Sequence, residues 1–304
     1  MKSCLLPSNP PGGSTLLLVL WAIMLMSVSV IGLVHHLTRG LEESVEAEKE
    51  FRSRLLLESA RTISNHPAIH RGDPLLHQRT SSVTSYQIKL GSEGSRLAIN
   101  QLASNPAQQG FAQRLFEKWG LDSRKAQTLV DSIADWIDAD SQSRIQGAER
   151  DFYDGLDQPA YPFNRPFKSV EDILRVRGTD EMERVNPGWR DSITLYGDGT
   201  IDIHTAPSPI LETLFDVTAS EVGRLIRARN GPDEIPDTED DENFQTLAEA
   251  RSMLDVPEIN YQRVAALIVL EHPVRRTECV ARAGNLERRL TLLRGGGISL
   301  ILNE

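Results

Sequence analysis

A long apolar segment near the N-terminus constrains this chain more than any other feature. Residues 15–37 contain no Asp, Glu, Lys or Arg, and a helix of about 20 residues spans the hydrocarbon core of a bilayer. A cleaved secretory signal has a shorter apolar core, of roughly 7 to 15 residues, and a small-residue cleavage site, whereas this segment ends with His35, His36 and Leu37. The sequence therefore predicts a membrane-spanning helix.

Charges on either side of this segment indicate its orientation. Lys2 is the single charged residue before it, whereas five glutamates follow it between positions 42 and 50. Because positive charge is enriched on the cytoplasmic side of a membrane helix, the short N-terminus is expected inside and the bulk of the chain outside. A chain with 39% hydrophobic and 25% charged residues has the composition of a soluble globular protein, so the membrane content is local.

The segment after the membrane span is expected to continue as a helix from Gly40 to His66. Its apolar residues recur at spacings of three and four, which is typical of an amphipathic helix that packs on a sheet. The predicted apolar face consists of Leu41, Val45, Phe51, Leu55, Leu56, Ser59 and Ile63.

Beyond this helix the pattern alternates between strands and helices. Residues 83–100 and the two runs around Asp198-Gly199 are each interpreted as a β-hairpin. Capping residues and periodicity predict helices after Pro106, Asp122 and Ser169.

The C-terminal third continues this alternation. A helical pair is predicted from Ser208 to Asn230, and short strands are predicted from residue 265 to the end. The seven acidic residues between Asp233 and Glu242 predict a solvated loop.

Acidic residues that follow the second of these helices form a candidate metal site. Asp138, Asp140 and Glu149 occupy the first, third and last positions of a twelve-residue stretch, and Ca²⁺ prefers several oxygen ligands of this kind. The stretch is not a standard EF-hand loop, because its sixth residue is Ser143 rather than glycine. Two interpretations stand at this point: a Ca²⁺ site, or a helix end with a solvated acidic turn.

Enzymes and nucleic-acid-binding proteins are poorly matched. The motifs GxSxG, HExxH and GxxxxGK[ST] are absent, and the seven histidines do not form a spaced ligand set. The net charge is −10, without a basic stripe, which disfavours binding to a phosphate backbone. Cys4 and Cys279 lie far apart and outside any zinc motif. A non-enzymatic protein-binding module is therefore predicted, and no nucleic acid is expected.

Several motifs together resemble the K-type minor pseudopilins of type II secretion systems. The most specific are DWIDAD at 135–140, GAE at 147–149 with Tyr153, and Thr205-Ala206 with Arg229. They follow the N-terminal apolar helix in the order found in that family.

This resemblance implies how the N-terminus is processed. A prepilin peptidase would cut after Gly13, so that Ser14 becomes the first residue of the mature chain and carries the family's N-methylation. Leu18 is then the fifth mature residue. Most pseudopilins have glutamate at this position, and the K type is distinguished by lacking it, which agrees with Leu18.

The resemblance also implies a fold. It is of the α+β class: a long transmembrane and amphipathic helix packs on a pilin-like antiparallel sheet, into which a large helical domain is inserted. The expected divisions are a leader (1–13), a membrane helix (14–39), the amphipathic helix and first strands (40–104), an inserted domain of two helical modules joined by a β-hairpin (105–255), and the last strands (256–304).

The functional implication is a single-pass inner-membrane protein whose bulk lies in the periplasm. It would form the tip of the secretion pseudopilus with the I-type and J-type minor pseudopilins and help to start its assembly. Family members bind calcium, which favours the Ca²⁺ interpretation of the acidic stretch. The alternative is a membrane-anchored periplasmic scaffold or competence-type protein that uses its helical pairs for another partner, such as DNA.

Overall fold

The computed structural model describes residues 13–156 and 161–303. Helix α1 spans Gly13–Ser64 without a break, since no proline lies within it. Several of its serines and threonines donate their hydroxyls to carbonyls one turn earlier. By length and composition α1 can cross a membrane: its most apolar 18-residue window has a mean hydropathy of 2.6 and is 0% buried. Residues 1–12, and with them most of the predicted leader, lie outside the described part.

The helices and strands follow the α+β order. The further helices are α2 (Pro106–Trp119), α3 (Ser123–Ile137), α4 (Arg150–Asp154), α5 (Thr179–Val185), α6 (Ser208–Phe215), α7 (Ala219–Arg229), α8 (Leu247–Ser252) and α9 (Glu258–Val264). The strands are β1 (His77–Arg79), β2 (Thr84–Ser92), β3 (Leu97–Ala98), β4 (Ile193–Thr194), β5 (Ile201–Asp202), β6 (Ile268–Val269), β7 (Arg275–Ala283), β8 (Leu286–Gly295) and β9 (Ile298–Asn303). Six short 3-10 turns complete the described elements: Pro74–Leu76, Glu93–Ser95, Ile99–Gln101, Val170–Arg175, Trp189–Ser192 and Ala265–Leu267.

An antiparallel sheet in the order β1-β2-β7-β8-β9 supports α1. Alternate residues of β2, β7 and β8 face the helix, among them Ile88, Cys279 and Leu292, and they enclose Ala60 in one apolar cluster. Ser92 at the end of β2 is the register partner of Arg275 at the start of β7. The chain therefore leaves the sheet and returns to it at the same place, with the helical part in between.

The predicted face of α1 is only partly correct. Leu56 and Ile63 pack on the sheet, whereas Leu41, Val45, Phe51 and Leu55 are 68%, 50%, 62% and 52% exposed. The sheet instead contacts the side of the helix that carries Ser53 and Ala60, both fully buried. Small side chains allow the helix backbone to approach the strands closely, and the four exposed apolar residues are turned outward.

Both predicted hairpins are wrong. Strand β2 pairs with β1 and β7 rather than with residues 96–100, and β3 pairs in parallel with β4. Strand β5 likewise pairs in parallel with β6. The strands on either side of Asp198-Gly199, β4 and β5, thus pair with β3 and β6 and not with each other as a hairpin. Two-residue strands of this kind form because of their pairing with residues far away in the chain, so local turn signals do not predict them.

The inserted part has its own large apolar core. This core starts at Leu97, ends at Ile268 and includes Trp136, Trp189 and Phe215, so the predicted limits of 105 and 255 are too narrow. The helices after Pro106 and Asp122 are confirmed, with Asp122 capping α3 through the Lys125 amide.

The short helix predicted after Ser169 is a 3-10 turn, and the helical pair predicted from Ser208 is confirmed. Ser169 caps the 3-10 turn Val170–Arg175, and Thr218 forms a capping box with Glu221 at the start of α7. The acidic loop is less solvated than predicted, because Asp237 and Asp241 form ion pairs with Arg71.

Candidate metal centre

The three predicted acidic ligands are brought together between α3 and α4. Asp138 caps the C-terminus of α3 through its backbone amide, and Glu149 occupies the N-cap of α4. The loop between them folds back, so that one carboxylate oxygen each from Asp138, Asp140 and Glu149 lies within 4.8 Å of the others. Two oxygens on opposite sides of a Ca²⁺ ion, each at about 2.4 Å, are about 4.8 Å apart.

Three carboxylate oxygens of this cluster lack protein partners. Both oxygens of Glu149 and Oδ1 of Asp138 are buried and accept no hydrogen bond of normal geometry within the described residues. Burial, reinforced by the charges of Asp135 and Asp138, raises the pKa of Glu149 to about 7. Buried carboxylates without donors are costly unless a cation compensates them.

Arg144 links two acidic side chains beside the site, Asp135 and Asp138. Its Nη1 donates to Oδ1 of Asp135 and to Oδ2 of Asp138, both at 2.5 Å. Asp135 is fully buried, and burial raises the pKa of its carboxyl group although Arg144 opposes that shift. Gly147 passes so close to Asp135 that a Cβ atom there would overlap the carboxylate oxygen Oδ2. Arg144 therefore neutralises Asp135 and one oxygen of Asp138, and it leaves the Glu149 carboxylate unpaired.

Asn164 adds a polar group that the sequence did not reveal. Its backbone has a positive φ of 48°, which Asn tolerates better than most residues. The Nδ2 atom donates to the Asp140 carbonyl oxygen at 2.6 Å, while Oδ1 is buried without a hydrogen-bond partner in the described part of the chain. The Asn164 amide oxygen is therefore available as a further neutral ligand.

An aromatic cluster supports both sides of the centre. Trp136, next to the acidic loop, contacts the rings of Tyr153, Tyr161, Phe163 and Phe167 at centroid distances of 5.2–5.9 Å. Because these rings belong to α3, to α4 and to the segment that carries Asn164, the cluster fixes the positions of these three pieces relative to one another.

The remaining predicted residues lie far from this centre in the chain, in α1. Gly13 is the first residue of the helix, so that the predicted cleavage would separate the leader from the helix start. Leu18 is 69% exposed on the helix surface.

The chemistry of the centre suits a hard cation. Three carboxylates converge there, and the side chain of Asn164 contacts the backbone of one of these residues, Asp140. Oxygen ligands of this type are preferred by Ca²⁺. A divalent ion would relieve the repulsion among the acidic groups and compensate the buried oxygens.

Comparisons with known proteins identify the region that contains this centre. Residues 95–186 match the family described as "Type II secretion system (T2SS), protein K". A relative from Pseudomonas aeruginosa, "Type II secretion system protein K", is 31% identical over 120 residues, which are 38% of this chain and 35% of that protein. The chain thus aligns with about a third of the length of this relative. The resemblance to the K-type proteins is confirmed by these matches.

A solved structure extends the likeness to most of the fold. The match is to a chain in the crystal structure of the GspK-GspI-GspJ complex from the type 2 secretion system of enterotoxigenic Escherichia coli. It covers 87% of this chain and 96% of that chain with a TM-score of 0.57 and 15% sequence identity. The predicted α+β fold, with a long apolar helix, an antiparallel sheet and an inserted helical part, is confirmed.

Proposed function

We propose that this chain, whose residues 95–186 match the protein K family of type II secretion systems, is a K-type minor pseudopilin. It would be anchored in the inner membrane by the first half of α1, with the sheet and the helical part in the periplasm, and it would act as a structural component without chemistry of its own. The observation that carries the proposal is the combination of a protein K domain with a membrane-length helix packed on a pilin-like sheet.

The proposed partners are the I-type and J-type minor pseudopilins. The structural relative is a complex of GspK with GspI and GspJ, and α1 of this chain offers a suitable surface. We define its outer stripe as Leu41, Val45, Phe51 and Leu55, all at least half exposed. An apolar stripe on a helix outside the membrane-length segment favours packing against the helices of neighbouring subunits.

A position at the tip is proposed from two features. Leu18 replaces the glutamate that would pair with the amino terminus of a neighbouring subunit, and leaving that terminus uncompensated inside a filament costs roughly 3 to 5 kcal/mol. The large helical insert would also obstruct a subunit stacked above it. Both effects favour the end of a filament over its middle and are compatible with a role in starting assembly.

We also propose that Asp138, Asp140 and Glu149, with the amide oxygen of Asn164, bind Ca²⁺. The convergence of unpaired carboxylate oxygens supports this site. The ion would be structural: it would fix the loop between α3 and α4 and thereby the shape of the protein K domain.

Cysteine cross-linking in cells tests the assembly role. Phe51→Cys or Val45→Cys is expected to cross-link to co-expressed I-type or J-type subunits that carry cysteine in the same helix region, and to do so far more often than to a second copy of this chain. Arg54→Cys is the control for Val45→Cys and should react less, because nine residues place it on the opposite side of the helix from Val45 and its side chain is also exposed. Abundant self-cross-links along a filament would instead show a repeating subunit and contradict the tip position.

Processing of the leader gives a separate prediction. In cells with an active prepilin peptidase, the protein extracted from membranes should begin at Ser14, and its mass should include one methyl group. The reason is the glycine pair Gly12-Gly13 directly before the uncharged segment. Gly13→Leu should remain unprocessed, whereas Gly12→Ala should still be cut. Wild-type protein that keeps Met1 in the same cells would exclude the cleavage.

A further inference from the structure

A polar cavity of about 300 Å³ lies between the sheet and the helical insert. Strand β2 contributes Lys89, whose side chain alternates with that of Ile88 beneath α1 and therefore points to the other face of the sheet. The insert contributes Arg229 from the last turn of α7. The cavity is thus built by both parts of the protein.

Positive charge predominates around this cavity, although the chain as a whole carries a net charge of −10. The cationic side chains that line it are Arg71, Lys89, Arg96, Arg229 and Arg276. The acidic side chains that line it are Asp191, Asp237 and Glu278.

Three of the cations are already neutralised by carboxylates. Arg71 pairs with Asp237 at 3.1 Å, and Arg276 pairs with Glu278 at 2.6 Å. Arg96 lies 3.7 Å from Glu278 and is also paired with a buried glutamate behind the cavity. These three arginines are therefore largely neutralised and should attract an anionic ligand only weakly.

Lys89 and Arg229 have no such partner. Within the described residues Lys89 makes no hydrogen bond or ion pair, and no carboxylate lies within 4.0 Å of the Arg229 guanidinium. Arg229 is only 7% exposed. Its Nη1 donates to the carbonyls of Ile203 and Ala206 at 3.2 and 2.8 Å, and its Nε is buried without an acceptor.

Burial dominates the electrostatic environment of Arg229. Burial, followed by the charge of Arg71, lowers the pKa of Arg229 to about 10, although the charges of Asp202, Asp241 and Asp237 oppose this shift. A buried cation that no carboxylate contacts directly is costly, and a bound anion would remove much of that cost.

We propose that this cavity binds an oxyanion, either phosphate or a carboxylate, between Arg229 and Lys89. Guanidinium and ammonium groups form strong charge-assisted hydrogen bonds with both kinds of oxygen. A second cavity of about 540 Å³ adjoins the first and shares Arg71, His204 and Thr205 with it. A carboxylate on a larger molecule would therefore also have space.

Thermal unfolding of the full-length protein in detergent tests the proposal. Tryptophan fluorescence is recorded with increasing sodium phosphate or sodium glutarate, against sodium chloride at equal ionic strength, and EDTA is present so that neither anion acts by removing Ca²⁺. A saturable rise of Tm beyond the chloride control is expected. A response to phosphate alone would identify a tetrahedral oxyanion, and a response to glutarate would identify a carboxylate. No excess rise with either anion would overturn the proposal.

A matched pair of lysine variants places the anion in this cavity. Lys89→Gln should weaken binding by about tenfold, because one charge-assisted hydrogen bond is lost. Lys168→Gln removes another exposed lysine, which does not line the cavity, and should leave the titration unchanged. Because Lys89 is exposed, its variant should fold normally. An unchanged titration with Lys89→Gln, or equal losses in both variants, would contradict this location.

Discussion

Replacing Glu149 by glutamine should stabilise the protein in EDTA and abolish its stabilisation by Ca²⁺. The wild-type carboxylate is buried, accepts no hydrogen bond of normal geometry within the described residues and is repelled by Asp135 and Asp138. Its pKa of about 7, against 4.5 for an unperturbed glutamate, corresponds to a penalty of at most ~3 kcal/mol for the charged form. Glutamine avoids that penalty but supplies one weaker, neutral ligand in place of a carboxylate.

The sign of the pH dependence follows from the same shift. Between about pH 4.5 and 7 the folded state binds the Glu149 proton more tightly than the unfolded state, so this group's contribution to the free energy of unfolding decreases as pH rises through that window. The advantage of Glu149→Gln in EDTA should therefore be small at pH 5 and largest above pH 7. Ca²⁺ affinity of the wild type should rise over the same range, because the metal requires the deprotonated carboxylate.

Denaturant unfolding at pH 8 in EDTA or in millimolar Ca²⁺ measures these effects. Glu239→Gln makes the same chemical change at an exposed glutamate of the acidic loop and should change the free energy of unfolding by less than about 0.5 kcal/mol. If Glu149→Gln destabilises the protein in EDTA, or if it keeps the full response to Ca²⁺, the proposed metal site is wrong.

Gly147→Ala should cost roughly 3 to 5 kcal/mol of folding free energy. The new methyl group would occupy the position of the Asp135 carboxylate oxygen, and Asp135 is fully buried and paired with Arg144. Either the loop or the ion pair must move, and separating a buried pair has a cost of this size. The response to Ca²⁺ should weaken as well, because Arg144 also holds Asp138.

Gly110→Ala, also a glycine-to-alanine substitution, should have the opposite effect on the stability of the protein. Gly110 lies inside α2, where a Cβ would meet only the end of the Arg114 side chain at 3.6 Å. Alanine should stabilise the helix by about 0.5 to 1 kcal/mol. Relative to the wild type, the denaturation midpoint should be lower for Gly147→Ala and higher for Gly110→Ala. A Gly147→Ala protein as stable as the wild type would show that the loop does not approach Asp135 in solution.

Local signals predicted the longer helices well, missed the short helices α4, α5, α8 and α9, and predicted the strand pairings poorly. Asp122 and Thr218 mark helix starts because capping is a contact between residues close in the chain. By contrast, Leu97 pairs with Ile193 and Ile201 pairs with Ile268, and such distant parallel contacts leave no nearby turn motif. The outward direction of Phe51 was missed for a related reason, since periodicity defines a helix face but not which small residues contact a sheet.

The acidic cluster of the candidate metal centre was partly predictable. Asp138, Asp140 and Glu149 were found because carboxylates at those spacings suit a single ion. Asn164 was missed because its role depends on a positive φ and on a return of the chain after α4. The cations around the second cavity were missed too, since residues as distant as Lys89 and Arg229 meet only through the packing of sheet against insert.

The register partnership of Ser92 and Arg275 has a consequence for the order in which the protein folds. Pairing β2 with β7 before the insert is structured would close a loop of nearly two hundred residues, at a cost of roughly 4 to 5 kcal/mol in chain entropy. A folded insert brings these two ends together beforehand. We therefore expect the helical part to fold first and the sheet to assemble last. Until then the apolar underside of α1 and Ile88 stay uncovered, and the newly made chain is most vulnerable to proteases and aggregation.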